Sequence, residues 1–359
     1  MTKLFSLRKR KAHKNKTKHI KRFRYNFYKK YINYKTLPDN KTQKKEIIKS
    51  EKIMENKVNN KEELNISNEL IIKTLAKFSN ELGSNYWNSY INDISNDLLE
   101  IESKINNKVI NEEILGRYKL TKNYRKEVLK YFLECINNQQ IDIDIKLYFS
   151  TVSVFDLFLI NYAENNSNCE NFFISKKSNQ FSWTKLVLLL LCCFYLIAKN
   201  DNRITISVKQ LLEEVKNAKE EVNDEDLNNL IYNIIRYTDV RLFEYNLYDY
   251  IHLYLVINVL NMKTLTINQE FLNNFLKFSL IFSIKIIQNI DLLNISKSIQ
   301  SLGIICVSFD YSKHKSKENN DDLYNYIHSW FENIEKKISN YNKNDLEKVI
   351  RWLNSYLNK

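Results

Sequence analysis

The most apolar segment of the sequence could serve as a membrane span or as a buried helix, and the choice decides the class of protein. From Leu186 to Ala198, thirteen consecutive residues carry neither a charged side chain nor a side-chain amide. A bilayer core requires about 20 apolar residues, and extending the run to Trp183 brings Lys185 into the span. A helix that is apolar on every side is otherwise surrounded by protein. We therefore predict a buried central helix with Leu189 in its core and with amphipathic helices packed around it, and we expect no membrane partner.

The shortage of turn-forming residues favours helices throughout the chain. The 359 residues include only 3 Gly and 1 Pro, whereas tight β-hairpins use glycine in their turns. Gly83, Gly116 and Gly303 lie too far apart to build a phosphate-binding or dinucleotide-binding loop. The hydrophobic content of 44% is sufficient for a sizeable core. These features predict an all-α fold.

Cysteine and histidine patterns indicate neither a disulfide framework nor a metal site. The five cysteines form no CxxC pair, and the five histidines form no HExxH motif. The sequence contains no recognisable nucleophile with its base, and no paired acid and base. We therefore expect a reducing intracellular environment, no cofactor and no enzymatic activity.

The positive charge of the chain is concentrated at its N-terminus. Residues 1–36 contain 14 Lys and Arg and no acidic residue, so the net charge of the remainder is 13 − 14 = −1. Such a block predicts a disordered arm, suited either to contact with acidic partners or to remaining a solvated tail. Four of its residues resemble a nuclear-import signal, and they are Arg8, Lys9, Arg10 and Lys11. Because the rest of the chain is nearly neutral, we expect no specific nucleic-acid binding. From the import-like residues, we expect the protein in the nucleus and the cytoplasm.

Apolar residues recur at helical spacing beyond a polar linker at 37–66. A first amphipathic helix is predicted at 68–82, and a second apolar stripe follows from Ile91 to Ile101. Polar breaks then separate helices that we predict over 121–137, 144–164, 182–199, 206–217, 223–237, 245–260, 267–275, 277–289, 294–309, 320–339 and 343–357. They fall into two groups of about five, divided near residues 261–267.

Two charged residues interrupt apolar helix faces. Arg125 projects from the same face as Val128 and Leu129, and Asp156 lies within the apolar segment 152–160. Burying either charge without a partner would cost on the order of several kcal/mol, because the charge loses its hydration. Either the two residues pair with each other beneath the apolar helix, or each extends separately to the surface.

The segments that carry these residues resemble the cyclin box. LTKNYRKEVLKYFLEC (120–135) resembles its first helix, VFDLFL (154–159) its second and KLVLLLLCCFYLIAK (185–199) its third, while residues 232–255 are similar to the end of the box. More weakly, residues 275–282, 294–308 and 334–357 resemble helices of a second cyclin fold. The resemblance to the two-fold, mitotic type of cyclin spans about 121–357.

This resemblance implies tandem five-helix folds, the second more divergent. It places the basic arm and linker at 1–66, leading helices at 67–120, a first cyclin box at 121–260 and a second cyclin-like fold at 261–359. Members of the family have no catalytic activity; they bind a cyclin-dependent protein kinase, press on its αC helix and so help to assemble its active site. The family also pairs the arginine of its first helix with the aspartate of its second, a role that falls here on Arg125 and Asp156.

The family's kinase contacts include a lysine at the end of the third helix and a glutamate in the fifth. In this sequence the two positions fall on Asn200 and Asn229, with Lys199 one residue early and Glu225 one turn early. The resemblance therefore implies a kinase-binding site formed by Lys199, Asn200, Glu225 and Asn229.

Some cyclins also dock substrates on their first helix. The corresponding positions include Tyr124, Val128 and Tyr131, with Tyr131 in place of the usual tryptophan.

From the resemblance as a whole, we expect a kinase-activating subunit involved in cell-cycle control. The alternative is a transcription or scaffold adaptor that has the cyclin fold but does not activate a kinase.

Overall fold

The regular secondary structure in the described part of the chain is helical. The computed structural model describes residues 85–104, 109–138, 145–175, 179, 181–200, 224–238, 245–262, 268–316, 321–338 and 341–357. Within these ranges there are eleven α-helices and two short 3-10 helices, and the only extended pairing is a single bridge between Ile174 and Phe181. The all-α prediction is therefore confirmed. The basic arm, the predicted helices at 68–82 and 206–217, and the linker at 37–66 lie outside the described residues.

The eleven α-helices are numbered in chain order. They are α1 (Asn85–Lys104), α2 (Glu112–Arg117), α3 (Lys122–Asn138), α4 (Ile145–Asn165), α5 (Trp183–Asn200), α6 (Asp224–Thr238), α7 (Leu247–Met262), α8 (Gln269–Ile287), α9 (Lys297–Ser316), α10 (Asp321–Lys337) and α11 (Lys343–Leu357). Short 3-10 turns occupy Cys169–Asn171 and Ile290–Leu292.

One predicted break does not occur. The sequence predicts separate helices at 267–275 and 277–289, but α8 runs without interruption from Gln269 to Ile287. Leu276, at the expected break, is buried in the same helix, and neither Gly nor Pro occurs there to end it. The Asn268 side chain caps the start of the helix by accepting a hydrogen bond from the backbone N–H of Glu270 at 2.9 Å.

The apolar run forms α5, which packs among α3, α4 and α6. Its residues from Leu186 to Phe194 are all buried, and Leu189 is completely inaccessible to solvent. The hydrophobic faces of its neighbours supply the apolar surroundings that such a helix needs. Among the helices that the structure describes, none combines the length and the apolar character needed to cross a membrane.

A second set of helices packs around α9. Helices α7, α8 and α11 all contact α9, and α10 contacts α7. Helix α7 also contacts α1 and α4, so it touches helices that precede and helices that follow it in the chain. The predicted domain boundary after residue 260 falls within α7, which ends at Met262.

Gly303 allows α9 and α11 to approach closely. A Cβ atom at this position would lie 2.6 Å from Cγ1 and 3.1 Å from Cβ of Val349 on α11. The backbone conformation of Gly303 is ordinary, so only its lack of a side chain is required. Gly116 in α2 is a matched contrast, because nothing lies within 4 Å of a Cβ there.

We expect Gly303→Ala to destabilise the protein by ~1–3 kcal/mol, the usual cost of overpacking. Gly116→Ala should be neutral or stabilising by up to ~1 kcal/mol, because alanine favours the helix. Chemical denaturation followed by circular dichroism measures both. The double variant Gly303→Ala/Val349→Ala should recover part of the loss; equal destabilisation by the two single variants would contradict this account.

Asp310 is a partly buried carboxyl group near the end of α9. Burial raises its pKa to about 7, and the ammonium group of Lys313 opposes part of that shift. Because the folded state holds this proton more tightly than an unfolded chain with an ordinary pKa of 3.8, the contribution of Asp310 to stability is lost as the pH rises toward about 7.

Asp310→Asn should therefore stabilise the protein relative to the wild type at pH 8 and leave it nearly unchanged at pH 4. The difference between the two free energies of unfolding should grow between pH about 4 and about 7 and then level off. Urea denaturation across this range measures it, and a difference that does not depend on pH would contradict the buried, protonated carboxyl.

Candidate partner-binding surface

Arg125 and Asp156 form a buried ion pair between α3 and α4. Nε of Arg125 donates to Oδ1 of Asp156 at 2.9 Å, and Nη2 donates to Oδ2 at 2.6 Å. The arginine side chain is 1% exposed and the aspartate side chain 15% exposed. The two residues are therefore joined to each other, and they do not extend separately into solvent. The bidentate geometry is the form in which an arginine and a carboxylate interact most strongly.

The same guanidinium group reaches a third helix. Nη1 of Arg125 donates to the backbone oxygen of Ile287 at 2.9 Å, and Ile287 is the last residue of α8. The carbonyls of a final helical turn have no partner within their own helix, and a cation there also interacts favourably with the helix dipole. Arg125 therefore holds α3, α4 and α8 together through one side chain, which the sequence did not predict.

Tyr148 and Cys193, near the ion pair, are buried. Burial raises the pKa of the Tyr148 hydroxyl to about 12, with a smaller opposing effect from its contact with Gln288 and from Arg125. Burial also raises the pKa of the Cys193 thiol well above its usual range, with further increases from Cys192 and Asp156. Both groups therefore remain neutral at physiological pH, and the charges in this part of the core are those of the ion pair.

The end of α5 presents Lys199 to solvent. Its ammonium group contacts Tyr195, one turn earlier, through the hydroxyl at 3.3 Å and through the ring at 5.5 Å from the centroid. Asn200 is the last residue of the helix, and its side chain lies outside the described part of the structure. Of the two residues predicted at this end, the structure describes the side chain of Lys199 alone.

Helix α6 packs on α4 and α5 and presents its opposite face to solvent. Leu227, Ile234 and Thr238 are buried, at a spacing of seven and four residues. The predicted contact residues Glu225 and Asn229 are both exposed on this helix.

Sequence reasoning missed two further residues on the exposed side of α6. Tyr232 is 64% exposed and Ile235 is 37% exposed. The buried positions follow Leu227 at intervals of seven and four residues, and neither Tyr232 nor Ile235 falls on one of them. The helical periodicity of the sequence therefore indicated that both side chains would be exposed.

The predicted substrate-docking patch is largely unavailable. Val128 is completely buried, because it lies on the side of α3 that faces the core, so its side chain is not part of the exposed surface. Tyr131 is partly buried. Tyr124 is 39% exposed, but its ring packs against that of Phe181, with the centroids 4.8 Å apart.

Phe181 belongs to the connection between α4 and α5, and its ring packs against that of Tyr124 at the start of α3. The bridge between Ile174 and Phe181 closes this connection, and the backbone N–H of Ser182 donates to the oxygen of Phe173 at 2.7 Å. Lys185 in the first turn of α5 donates to the oxygen of Ile174 at 2.6 Å. At the position corresponding to a docking patch, Phe181 thus covers part of Tyr124.

Comparison with known proteins does not assign a family. No protein-family model matches the chain. No curated protein matches it either. The predicted nuclear-import residues Arg8, Lys9, Arg10 and Lys11 lie outside the described residues. Among those residues there is no cluster of three or more histidine, cysteine or acidic side chains that could hold a metal ion.

We expect Asp156→Ala to destabilise the protein by ~3–5 kcal/mol, because it leaves the Arg125 charge buried without its partner. Replacing the pair with apolar residues, as in Arg125→Met/Asp156→Leu, should cost less than the single change. The exposed pair of Lys130 and Glu127, 3.1 Å apart, provides the control: Glu127→Ala should change stability by about 0.5 kcal/mol or less. Chemical denaturation measures all three, and equal losses for Asp156→Ala and Glu127→Ala would contradict the role of burial.

Proposed function

We propose that this protein is a cyclin-like regulatory subunit that binds and activates a cyclin-dependent protein kinase. The observation that carries the proposal is the buried pair of Arg125 and Asp156 between α3 and α4, next to a central apolar helix. The resemblance of these segments to the cyclin box implies both the pair and the buried helix. On this reading, the first fold includes α3 to α6 and the second is built around α9.

The exposed surfaces of α5 and α6 support a binding role. Lys199, in the last turn of α5, is exposed to solvent, and the neighbouring α6 exposes Glu225, Asn229 and Tyr232. In the proposed complex this surface contacts the αC region of the kinase. A stable complex of this kind buries about 1,600 Å² in total, so adjoining helices must contribute as well. The protein supplies no catalytic group, and its effect on the kinase is to favour the active conformation by binding it preferentially.

The test is coexpression of the full chain with each cyclin-dependent kinase catalytic subunit of the same organism. We expect one of them to copurify as a stoichiometric complex and to phosphorylate a peptide substrate faster than the kinase alone. Gly116→Ala, which changes a site without close neighbours in α2, serves as a folded control that should bind equally well. If none of these kinases forms a complex with the protein, the proposal is refuted.

A second candidate is a cyclin-fold adaptor that binds a partner without activating a kinase. The observation that favours it is Asn229, which stands where the family has a glutamate that contacts the kinase. The same experiment separates the two candidates: an adaptor gives either no kinase complex or a complex in which the rate of phosphorylation equals that of the kinase alone.

A further inference from the structure

Two polar atoms buried in the second set of helices lack a hydrogen-bond partner among the described residues. They are Nε1 of Trp330 on α10, which is a donor, and Oδ1 of Asn258 on α7, which is an acceptor. Trp330 is 6% exposed, and Asn258 is completely buried. Such atoms are exceptional in proteins, because a buried polar group that loses its hydration without gaining a partner is destabilising. The two atoms therefore require a physical explanation.

Both atoms belong to the interface between α7 and α10, which pack against each other. The rings of Tyr254 and Trp330 meet edge to face, with their centroids 5.5 Å apart. Further along α7, Nδ2 of Asn261 donates to the hydroxyl oxygen of Tyr326 on α10 at 3.2 Å. Asn258 lies four residues after Tyr254 and three before Asn261, so it shares the face of α7 that contacts α10.

Helices α7 and α10 run in opposite directions, because Tyr254 contacts Trp330 whereas the later Asn261 contacts the earlier Tyr326. Side chains on a helix lean toward its N-terminus. Trp330 therefore leans toward the level of Tyr326, and Asn258 leans toward the level of Tyr254. The two side chains thus lean toward each other across the interface.

The orientation of the Asn258 amide is determined by a contact within α7. Its Nδ2 donates to the backbone oxygen of Tyr254 at 2.8 Å. Because a carbonyl oxygen can only accept, the amide nitrogen must face Tyr254, and Oδ1 is the end left for another group. The interface therefore offers a donor at Trp330 and an acceptor at Asn258, and no direct hydrogen bond joins them.

We propose that an ordered water molecule bridges Nε1 of Trp330 and Oδ1 of Asn258 and so joins α10 to α7. Water accepts the indole proton and donates to the amide oxygen at the same time, and a buried water needs roughly two to four polar partners. A metal cation would be repelled by the N–H group and an anion by the amide oxygen, while an apolar molecule would pair with neither. The inference does not depend on the proposed kinase-binding function, so either can fail without the other.

The experiment determines a high-resolution crystal structure of the full chain and measures, by NMR, magnetisation transfer from water to the tryptophan indole protons. The sequence contains 4 Trp, and the variant Trp330→Phe identifies the signal of Trp330. We expect density for one water molecule within about 3.2 Å of both atoms. We also expect a transfer signal at the Trp330 indole proton with opposite signs in laboratory-frame and rotating-frame measurements. A bound water gives opposite signs, whereas direct proton exchange gives equal signs.

Hydroxyl protons exchange with water and can relay its signal, and Tyr254 is one such source because its ring contacts Trp330. Its hydroxyl is buried and is likewise unpaired within the described ranges. Tyr254→Phe should therefore leave both the water density and the signal at Trp330 unchanged. A dry interface, in which the indole N–H bonds directly to a protein oxygen, overturns the inference.

Urea denaturation tests whether the two side chains act through one bridge. Trp330→Phe removes the donor and Asn258→Leu the acceptor, and each should raise the unfolding equilibrium constant. Because both changes break the same bridge, the double variant should fall short of the product of the two single effects by about threefold or more. Trp352→Phe is the matched control, since Trp352 stacks on Tyr356 within α11, and its effect should multiply with that of Asn258→Leu. Simple multiplication in both pairs overturns the inference.

Discussion

The arrangement of the described helices depends most on the hydrogen bonds that the guanidinium group of Arg125 makes. It neutralises the buried carboxylate of Asp156 and satisfies the last carbonyl of α8. Two charges removed from water are stable only when geometry and further hydrogen bonds compensate their lost hydration. The third bond, from Nη1 of Arg125 to Ile287, joins two residues that are 162 positions apart in the chain. A buried polar connection of this kind favours one arrangement of the helices over other apolar packings.

Close packing supports the same arrangement elsewhere in the chain. Helix α5 is surrounded on its apolar sides by α3, α4 and α6, and Gly303 brings α9 against α11. With no side chain at Gly303, the Cγ1 methyl group of Val349 occupies the space where a Cβ would stand. Such contacts leave little room for added volume, because protein interiors are packed as densely as organic crystals.

The surface available to a partner is determined by what the core does not use. Two of the tyrosines on the first set of helices have different fates: Tyr124 is covered in part by Phe181, whereas Tyr232 is largely exposed on α6. The resemblance to cyclins implies substrate docking at the first position and kinase contacts next to the second. The partner surface that we propose is therefore on α6 and not at the start of α3.

The sequence alone determined the helical class, most helix positions and the burial of α5, because apolar spacing and the scarcity of Gly and Pro act locally along the chain. It also identified Arg125 and Asp156 as charges that need a partner, but it left two arrangements open. Only the tertiary structure decided between them, added the bond to Ile287, merged two predicted helices into α8, and buried Val128 while exposing Tyr232. These outcomes depend on which helices meet, and neighbours distant in sequence cannot be read from local periodicity.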